Sequence, residues 1–288
     1  MKESIESEKF EIDQYYIGCT ASQERFSGIY KTAGEVPSFS INPFETEEWV
    51  EANKSWLTEL KQNIGVGWNK PDDYFYPLIP IVRSKIAEKK LVNIVDIGGG
   101  CGENYINLIR FFSKECFDYH VIEQERNCQL GGELELPGNI YFHVNQENGL
   151  RCLSDEANEL LKKADICLLV GTIQYFPSYK NLLKEIADSG VEYILIVRTM
   201  ITLATDTFFT RQYIAPDVGV YKDIVVGDIP VAVINRHELN RCLDDLGYDV
   251  CLDLFGLDYS YKVRNLPKPY CDVEYRNMLY QSRKYRCS

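Results

Sequence analysis

Asn93-Ile94-Val95-Asp96-Ile97-Gly98-Gly99-Gly100-Cys101-Gly102-Glu103-Asn104-Tyr105 is the stretch on which the fold turns. Its first part, Val92 to Ile97, is apolar and β-branched, broken only by Asn93 and Asp96, which suits a strand buried on both faces. A turn with four glycines follows. Beyond it Tyr105, Leu108, Ile109 and Phe112 recur at i, i+3, i+4 and i+7, the apolar stripe of one helix face. Strand, glycine turn and helix in that order make a cleft for a nucleotide-like ligand in an open α/β sheet.

The rhythm repeats downstream. Asp118 to Glu123 reads as a second strand ending in an acid, and Asn139 to Val144 as a third. Ser154 caps a helix with Ala157, Leu160, Leu161 and Ala164 inward. Asp165 to Val170 is a fourth strand. A helix beginning at Ser178 carries Leu182, Leu183, Ile186 and Ala187 on one side and stops at Gly190. Val191 to Val197 is a fifth strand. Asn235-Arg236-His237-Glu238 opens a last helix in capping-box fashion, with Leu239, Cys242, Leu243 and Leu246 inward and Gly247 beyond its end. Tyr248 to Phe255 is the last strand. Alternating strands and helices predict βαβ units: an α/β fold, Rossmann-like, with a mostly parallel sheet and helices on both faces.

The flanks are less regular. Arg25 to Val36 is a short aromatic segment, read as a loop or a docking strand. Thr46 is placed to cap a helix that starts at Glu47-Glu48, where acids suit the dipole, and presents Trp49, Ala52, Trp56, Leu57 and Leu60. Gly65 or Gly67 is expected to end it. Ile81 to Lys89 reads as a helix leading into the core. Three regions follow: an N-terminal helical cap over 1–90, an α/β core over 91–258 with a substrate-loop insertion at 199–234, and a tail over 259–288. A connection as long as 199–234 is usually functional.

Composition narrows the function classes. The 288 residues carry a net charge of −12, which argues against nucleic acid as a main partner. The ten cysteines form no C-x-x-C pair and only three histidines are present, which argues against a zinc site. Buried free thiols imply a reducing, cytoplasmic compartment. The acidic N-terminus has no apolar signal region. No apolar run approaches the roughly 18 residues that span a bilayer.

Two cofactor classes compete for the glycine turn. A dinucleotide site needs G-x-G-x-x-G. Here Gly98-x-Gly100 leads to Glu103 in the third glycine position, and Gly100-x-Gly102 leads to Tyr105. Both registers fail, and an acid at the helix start opposes a pyrophosphate. S-adenosyl-L-methionine (SAM) suits the turn better. Its amino-acid end carries an ammonium that tolerates Asp96 and Glu103, and the glycines allow close backbone approach. Glu123, about twenty residues on, is placed to accept hydrogen bonds from two ribose hydroxyls.

Asp96 to Gly102 with Glu123 resembles motif I and the following acid of class I SAM-dependent methyltransferases. The chain further resembles a family of methyltransferases associated with bacterial surface-polysaccharide (capsule or O-antigen) gene clusters. The shared features are Phe26-x-Gly28-Ile29-Tyr30-x-x-x-Gly34-Glu35, Thr172-Ile173-Gln174-Tyr175-Phe176 after the fourth strand, and Arg198-Thr199 after the fifth. Gln212 in an aromatic context and Gly247-Tyr248 complete the set. The stretch Ile229-Pro230-Val231-Ala232-Val233 and the tail depart from the pattern.

The resemblance implies a class I methyltransferase fold, with SAM held by Asp96, Gly98, Gly99, Gly100, Gly102, Glu123 and Gln174. Tyr175, Arg198 and Gln212 fall at the carboxyl ends of strands or in the insertion, where an acceptor would lie. Tyr175 can shape the methyl pocket, and Arg198 can clamp a phosphate or carboxylate. His237 is a candidate general base, with Asp206 and Asp228 as rivals. The expected activity is O-methylation of a sugar or phosphoryl-type decoration, with a small-molecule or saccharide acceptor and no metal. An NAD-dependent sugar-nucleotide enzyme and a non-catalytic binding module on the same fold are the alternatives.

Overall fold

The computed structural model describes residues 25–37, 42–62, 76–145, 152–215, 224–256 and 266–286. Val92–Ile97 forms strand β2, and only Asn93 of its six residues escapes full burial. Parallel neighbours pair with it on both sides: β3 (Phe117–Glu123) and β5 (Ile166–Val170). β4 (Ile140–Val144) extends the sheet beyond β3, and β6 (Tyr193–Thr202) extends it beyond β5, again in parallel. The order β4-β3-β2-β5-β6 reverses direction between β2 and β5. That reversal opens a crevice at the carboxyl ends of those two strands.

Helices cover both faces. α2 (Leu78–Lys89) and α3 (Glu103–Ile109) bury Leu78, Val82, Tyr105 and Leu108 on one face. α5 (Asp155–Leu161), α6 (Tyr179–Ser189) and α7 (Arg236–Asp245) cover the other. Their caps follow the side-chain chemistry: Ser154 accepts from the Ala157 N–H, and Asn235 from that of Glu238. Gly190 takes a left-handed φ of 82° at the end of α6. Leu182, Leu183 and Ile186 are fully buried there, each contributing about 1.5–3 kcal/mol of transfer free energy.

Three segments differ from the sequence reading. The first is 259–288, expected as a tail. Val273–Ser282 is strand β10, which inserts antiparallel between β6 and β9 (Tyr248–Phe255) and so belongs to the sheet. Glu274, Arg276, Asn277 and Gln281 hid the strand by breaking its apolar pattern. Buried Arg276 is neutralised by Asp253 at 2.6 Å and lies 4.3 Å from the Phe255 ring centroid.

The second is 199–234, expected as a loop insertion. β6 runs on to Thr202, and β7 (Phe208–Ile214) and β8 (Gly227–Asn235) form an antiparallel pair. β8 joins β6 in parallel only at Ile234 and Asn235. Pro230, which reads as a strand breaker, therefore sits where β8 has β7 alone as a ladder partner, a place that tolerates a missing N–H.

The third is the cap. Phe26–Tyr30 is β1, antiparallel to β7, so the docking-strand alternative holds and this part of 1–90 is not helical. α1 (Glu47–Gln62) is capped by Thr46, whose Oγ1 accepts from the Trp49 N–H at 3.3 Å. Leu57 on α1 packs with Cys101, Ile106, Leu130 and Leu134. The expected helix stop at Gly65 or Gly67 and the charged N-terminus lie outside the described residues. Among the described residues no helix is long and apolar enough to cross a membrane.

Candidate functional site

A cleft of about 1120 Å³ lies over the carboxyl ends of β2, β3, β5 and β6, between them and the residues of α1, β7 and β8. Its floor on one side is the glycine turn. The Gly98 N–H donates to Ile122 O at 2.8 Å, tying the turn to β3. Gly98 has φ 68°, and a Cβ there would stand 2.3 Å from Thr172 Cγ2. Gly100 has φ 58°, and its Cβ would stand 2.6 Å from Glu103 Oε2. Gly98 demands glycine sterically and conformationally, and Gly100 demands it by its φ. Gly98, Gly99 and Gly100 all line the cleft.

Asp96 and Gly102 do not. Asp96 is fully buried behind the turn, and its Oδ2 accepts from Tyr119 Oη at 2.7 Å and Asn104 Nδ2 at 2.9 Å. It braces the turn rather than facing the cleft, because Tyr119 on β3 and Asn104 on α3 hold its carboxylate behind the turn. Gly102 is the N-cap of α3, against Leu136 and Ile140.

Glu123, at the end of β3, does line the cleft, as does Glu103. Glu103 Oε2 accepts from the Cys101 N–H at 3.1 Å. With Asp96 these acids form a cluster at low dielectric. Burial holds the Asp96 carboxyl up at about 6 despite its two hydrogen bonds. Burial, with the charges of Asp96 and Glu123, raises Glu103 to about 7. Burial also raises Glu123 to about 7, against hydrogen bonds from Gln124, Asn127 and Gly100. These are carboxyls that a bound cation would help to ionise.

The opposite wall follows β5. Thr172 Oγ1 donates to Val170 O at 3.0 Å and lies 3.3 Å from Gly98 O, closing the switch point. Ile173–Tyr175 is a 3-10 turn. Gln174 is buried, its Nε2 donates to Gly171 O at 3.0 Å, and its Oε1 is buried without a hydrogen-bond partner. Tyr175 Oη donates to Gln212 Oε1 at 3.2 Å. Its ring meets Phe44 edge-on at 5.4 Å, and Phe44 meets Trp49 likewise at 5.2 Å. Thus Gln174, Tyr175 and Gln212, from distant parts of the chain, share one wall.

Arg198 lies where β6 exchanges β5 for β8 as its neighbour, and it adopts φ 54°. The register with β10 also slips there, between Arg276 and Met278. The Arg198 N–H donates to the side chain of Asn277 at 3.1 Å instead of to a ladder carbonyl. A left-handed arginine costs about 1–2 kcal/mol, so the bulge re-aims this residue at the expense of stability. Arg198 lines the cleft.

None of the candidate bases does. His237 is exposed in the first turn of α7, because Leu239 and Leu243 set the inward face of that helix. Asp228 is buried in an ion pair with Arg211 inside the β7–β8 ribbon. Asp206 lines a separate depression of about 450 Å³ with Thr205 and Tyr270. Conversely, Asn127, Asn145 and Tyr275 line the cleft unforeseen. Asn127 lies on α4 (Glu125–Glu133), whose Gly131-Gly132 pair obscured the helix, and its Oδ1 is buried without a hydrogen-bond partner. Tyr275 lies on β10, in the segment read as a tail.

Strand order and cleft position make this the Rossmann-like architecture of class I SAM-dependent methyltransferases. No family model and no curated protein matches the sequence. Among solved structures it is similar to LepI in complex with SAM, at 11% identity and a TM-score of 0.41, covering 81% of this chain and 54% of LepI. The chain therefore spans about half the length of that protein. It is also similar to a SAM-dependent methyltransferase from Clostridium acetobutylicum ATCC 824, at 11% identity and a TM-score of 0.41, covering 79% of this chain and 98% of the other. A third is a Burkholderia thailandensis 1,6-didemethyltoxoflavin-N1-methyltransferase with bound S-adenosylhomocysteine, at 12% identity and a TM-score of 0.40, covering 85% and 92%.

Proposed function

We propose that this chain is a SAM-dependent methyltransferase that O-methylates a sugar or a phosphoryl-type decoration of a surface-polysaccharide precursor. The observation that carries the cofactor assignment is the carboxyl cluster of Asp96, Glu103 and Glu123 around the glycine turn at the switch point. Two of these acids line the cleft and the third lies just behind it. A pyrophosphate would bring negative charge to this cluster, whereas SAM brings an ammonium and a sulfonium. The sugar assignment rests on the motif resemblance, and the aromatic wall of Phe44, Trp49 and Tyr175 offers the apolar surface that ring faces require.

The residues divide the work. Glu123 would accept hydrogen bonds from the ribose hydroxyls, and the Gly98–Gly100 backbone would receive the amino-acid end. Bound SAM supplies an electrophilic methyl group on sulfur. Tyr175, Gln212 and Arg198 would hold the acceptor oxygen in line, where orientation is the main source of rate. Arg198 favours an acceptor bearing a phosphate or carboxylate.

Calorimetric titration with SAM, S-adenosylhomocysteine and NAD tests this directly. SAM and its demethylated product should bind, and NAD should not; NAD binding without SAM binding overturns the reading. The cluster adds a pH signature. Cation binding favours the ionised carboxylates, so SAM affinity should rise as pH climbs through about 6–7, with proton release on binding. The empty protein should move the other way. Its raised carboxyl pKa values stabilise the fold below the unfolded value of about 4, and that contribution is lost as pH rises through 6–7. Melting curves of the empty chain between pH 5 and pH 8 check the second sign, and SAM titrations over the same range check the first.

Tyr175→Phe should have a small effect. It removes the hydrogen bond to Gln212, worth about 1 kcal/mol, and keeps the ring against Phe44. Acceptor KM should rise a few-fold while SAM affinity stays level. A change in SAM affinity instead would place Tyr175 on the cofactor side.

A further inference from the structure

Two of the three histidines lie away from the cleft and meet on adjacent strands. β3 and β4 pair with His120 opposite Tyr141 and Ile122 opposite His143, so both rings project from the same sheet face. His120 Nδ1 and His143 Nε2 are 3.0 Å apart. Their outward nitrogens each face a carboxylate. His143 Nδ1 is 2.8 Å from Glu156 Oε1, and His120 Nε2 is 3.6 Å from Asp118 Oδ2. Tyr141 stacks on His120 at 5.2 Å and an interplanar angle of 21°, which fixes that ring plane. Both rings keep partial solvent access, 16% and 18%.

We propose that His120 and His143 form a binding site for one borderline divalent transition-metal ion of the Ni²⁺ or Zn²⁺ kind. Neutral imidazole is the ligand such ions prefer. Two nitrogens about 2.1 Å from an ion and at right angles to each other stand about 3.0 Å apart, and about 3.4 Å at a tetrahedral angle. The observed separation falls at the six-coordinate end of that range. An ion would replace the single proton that the two facing nitrogens share, with the His143 ring turning while the stacked His120 ring and the strands stay in place. A carboxylate on the far nitrogen of each ligating histidine is the outer-shell arrangement that fixes tautomer and raises ligand basicity. Among the described residues no group of three or more His, Cys, Asp or Glu could hold a metal ion, so the two imidazoles would be the protein ligands and water would complete the coordination. Counting cysteines and histidines along the sequence missed the pair because strand pairing, not spacing, brings residues 120 and 143 together.

Calorimetric titration of Ni²⁺ into the full chain should show one ion bound per chain. His120→Gln and His143→Gln should each weaken that binding by about tenfold or more, and Glu156→Gln, on the exposed rim, by about tenfold. The rim variant carries the test if a histidine variant fails to fold. Wild-type binding weaker than about 1 mM overturns the proposal. So does Ni²⁺ affinity unchanged in the variants, which would assign the ion to thiols elsewhere. Neither readout depends on SAM or on turnover, so the cofactor assignment stands or falls separately.

Discussion

Glu123→Ala is expected to weaken SAM binding by about 100-fold or more while the chain remains folded. Hydrogen bonds to a charged group are worth about 1.5–3 kcal/mol each, and the proposed role of this carboxylate is to accept from two hydroxyls. Folding should tolerate the change. Glu123 is a half-buried acid whose carboxyl sits well above its ordinary range, at about 7, so the native site gains little from its charge. Removing it also relieves Glu103 of a neighbouring charge. The Glu103 carboxyl should ionise at lower pH, and the pH dependence of the residual SAM affinity should flatten. Glu123→Gln separates the two contributions, because it keeps a hydrogen-bond acceptor and removes the charge. Calorimetry of the three proteins across pH 5 to pH 8 decides the matter. Wild-type affinity in the alanine variant would remove Glu123 from the cofactor site.

What the sequence could and could not show follows from how each feature is encoded. β2, the glycine turn and α3 are legible because strand, turn and helix each leave a local periodicity in adjacent residues. α6 and α7 are legible for the same reason, with Gly190 and Asn235 marking an end and a start. β10 was not. It is a central antiparallel strand that carries a buried arginine, and the Asp253 carboxylate that makes Arg276 tolerable comes from a strand 23 residues away in sequence. β8 was hidden by Pro230, whose missing N–H is tolerated where β8 pairs with β7 alone but reads locally as a break. β1 and β7 depend on each other across the chain, so neither shows in a window of ten residues.

The site divides along the same line. Gly98, Gly100 and Glu123 are legible because a glycine turn and a strand-end acid are local features. Asp96 shares the motif but not the surface: its carboxylate is spent on Tyr119 and Asn104 behind the turn. His237 was attractive by residue type alone, and the capping geometry of Asn235 turns it outward. Asn127 and Tyr275 reach the cleft from elements whose existence was missed. β7 and β8 fall in the stretch read as an insertion, and with β1 they form a ribbon whose Gln212 meets Tyr175 and adds a wall to the cleft over the parallel core.

Arg198 is where that added wall joins the core, and its substitution should separate stability from turnover. Arg198→Ala is expected to lower kcat/KM for the acceptor by about 30-fold to 1000-fold, the cost of truncating one partner of a desolvated charge pair. SAM affinity should stay within a few-fold, because the residue follows β6 and not the glycine turn. Arg198→Gly removes the same side chain but accepts the left-handed backbone. It should therefore be more stable than Arg198→Ala by about 1 kcal/mol, the strain of a Cβ at this φ less the entropic cost of glycine. That difference should raise Tm by about 2 °C over the alanine variant. Both variants should be equally impaired with acceptor, since neither carries the guanidinium. Equal Tm values would mean that the bulge relaxes without Arg198, and equal loss of SAM affinity and acceptor turnover would collapse the division between the two halves of the cleft. The larger Tm of the glycine variant, beside its lost activity, would identify residue 198 as a place where the fold gives up stability to aim a guanidinium at the acceptor.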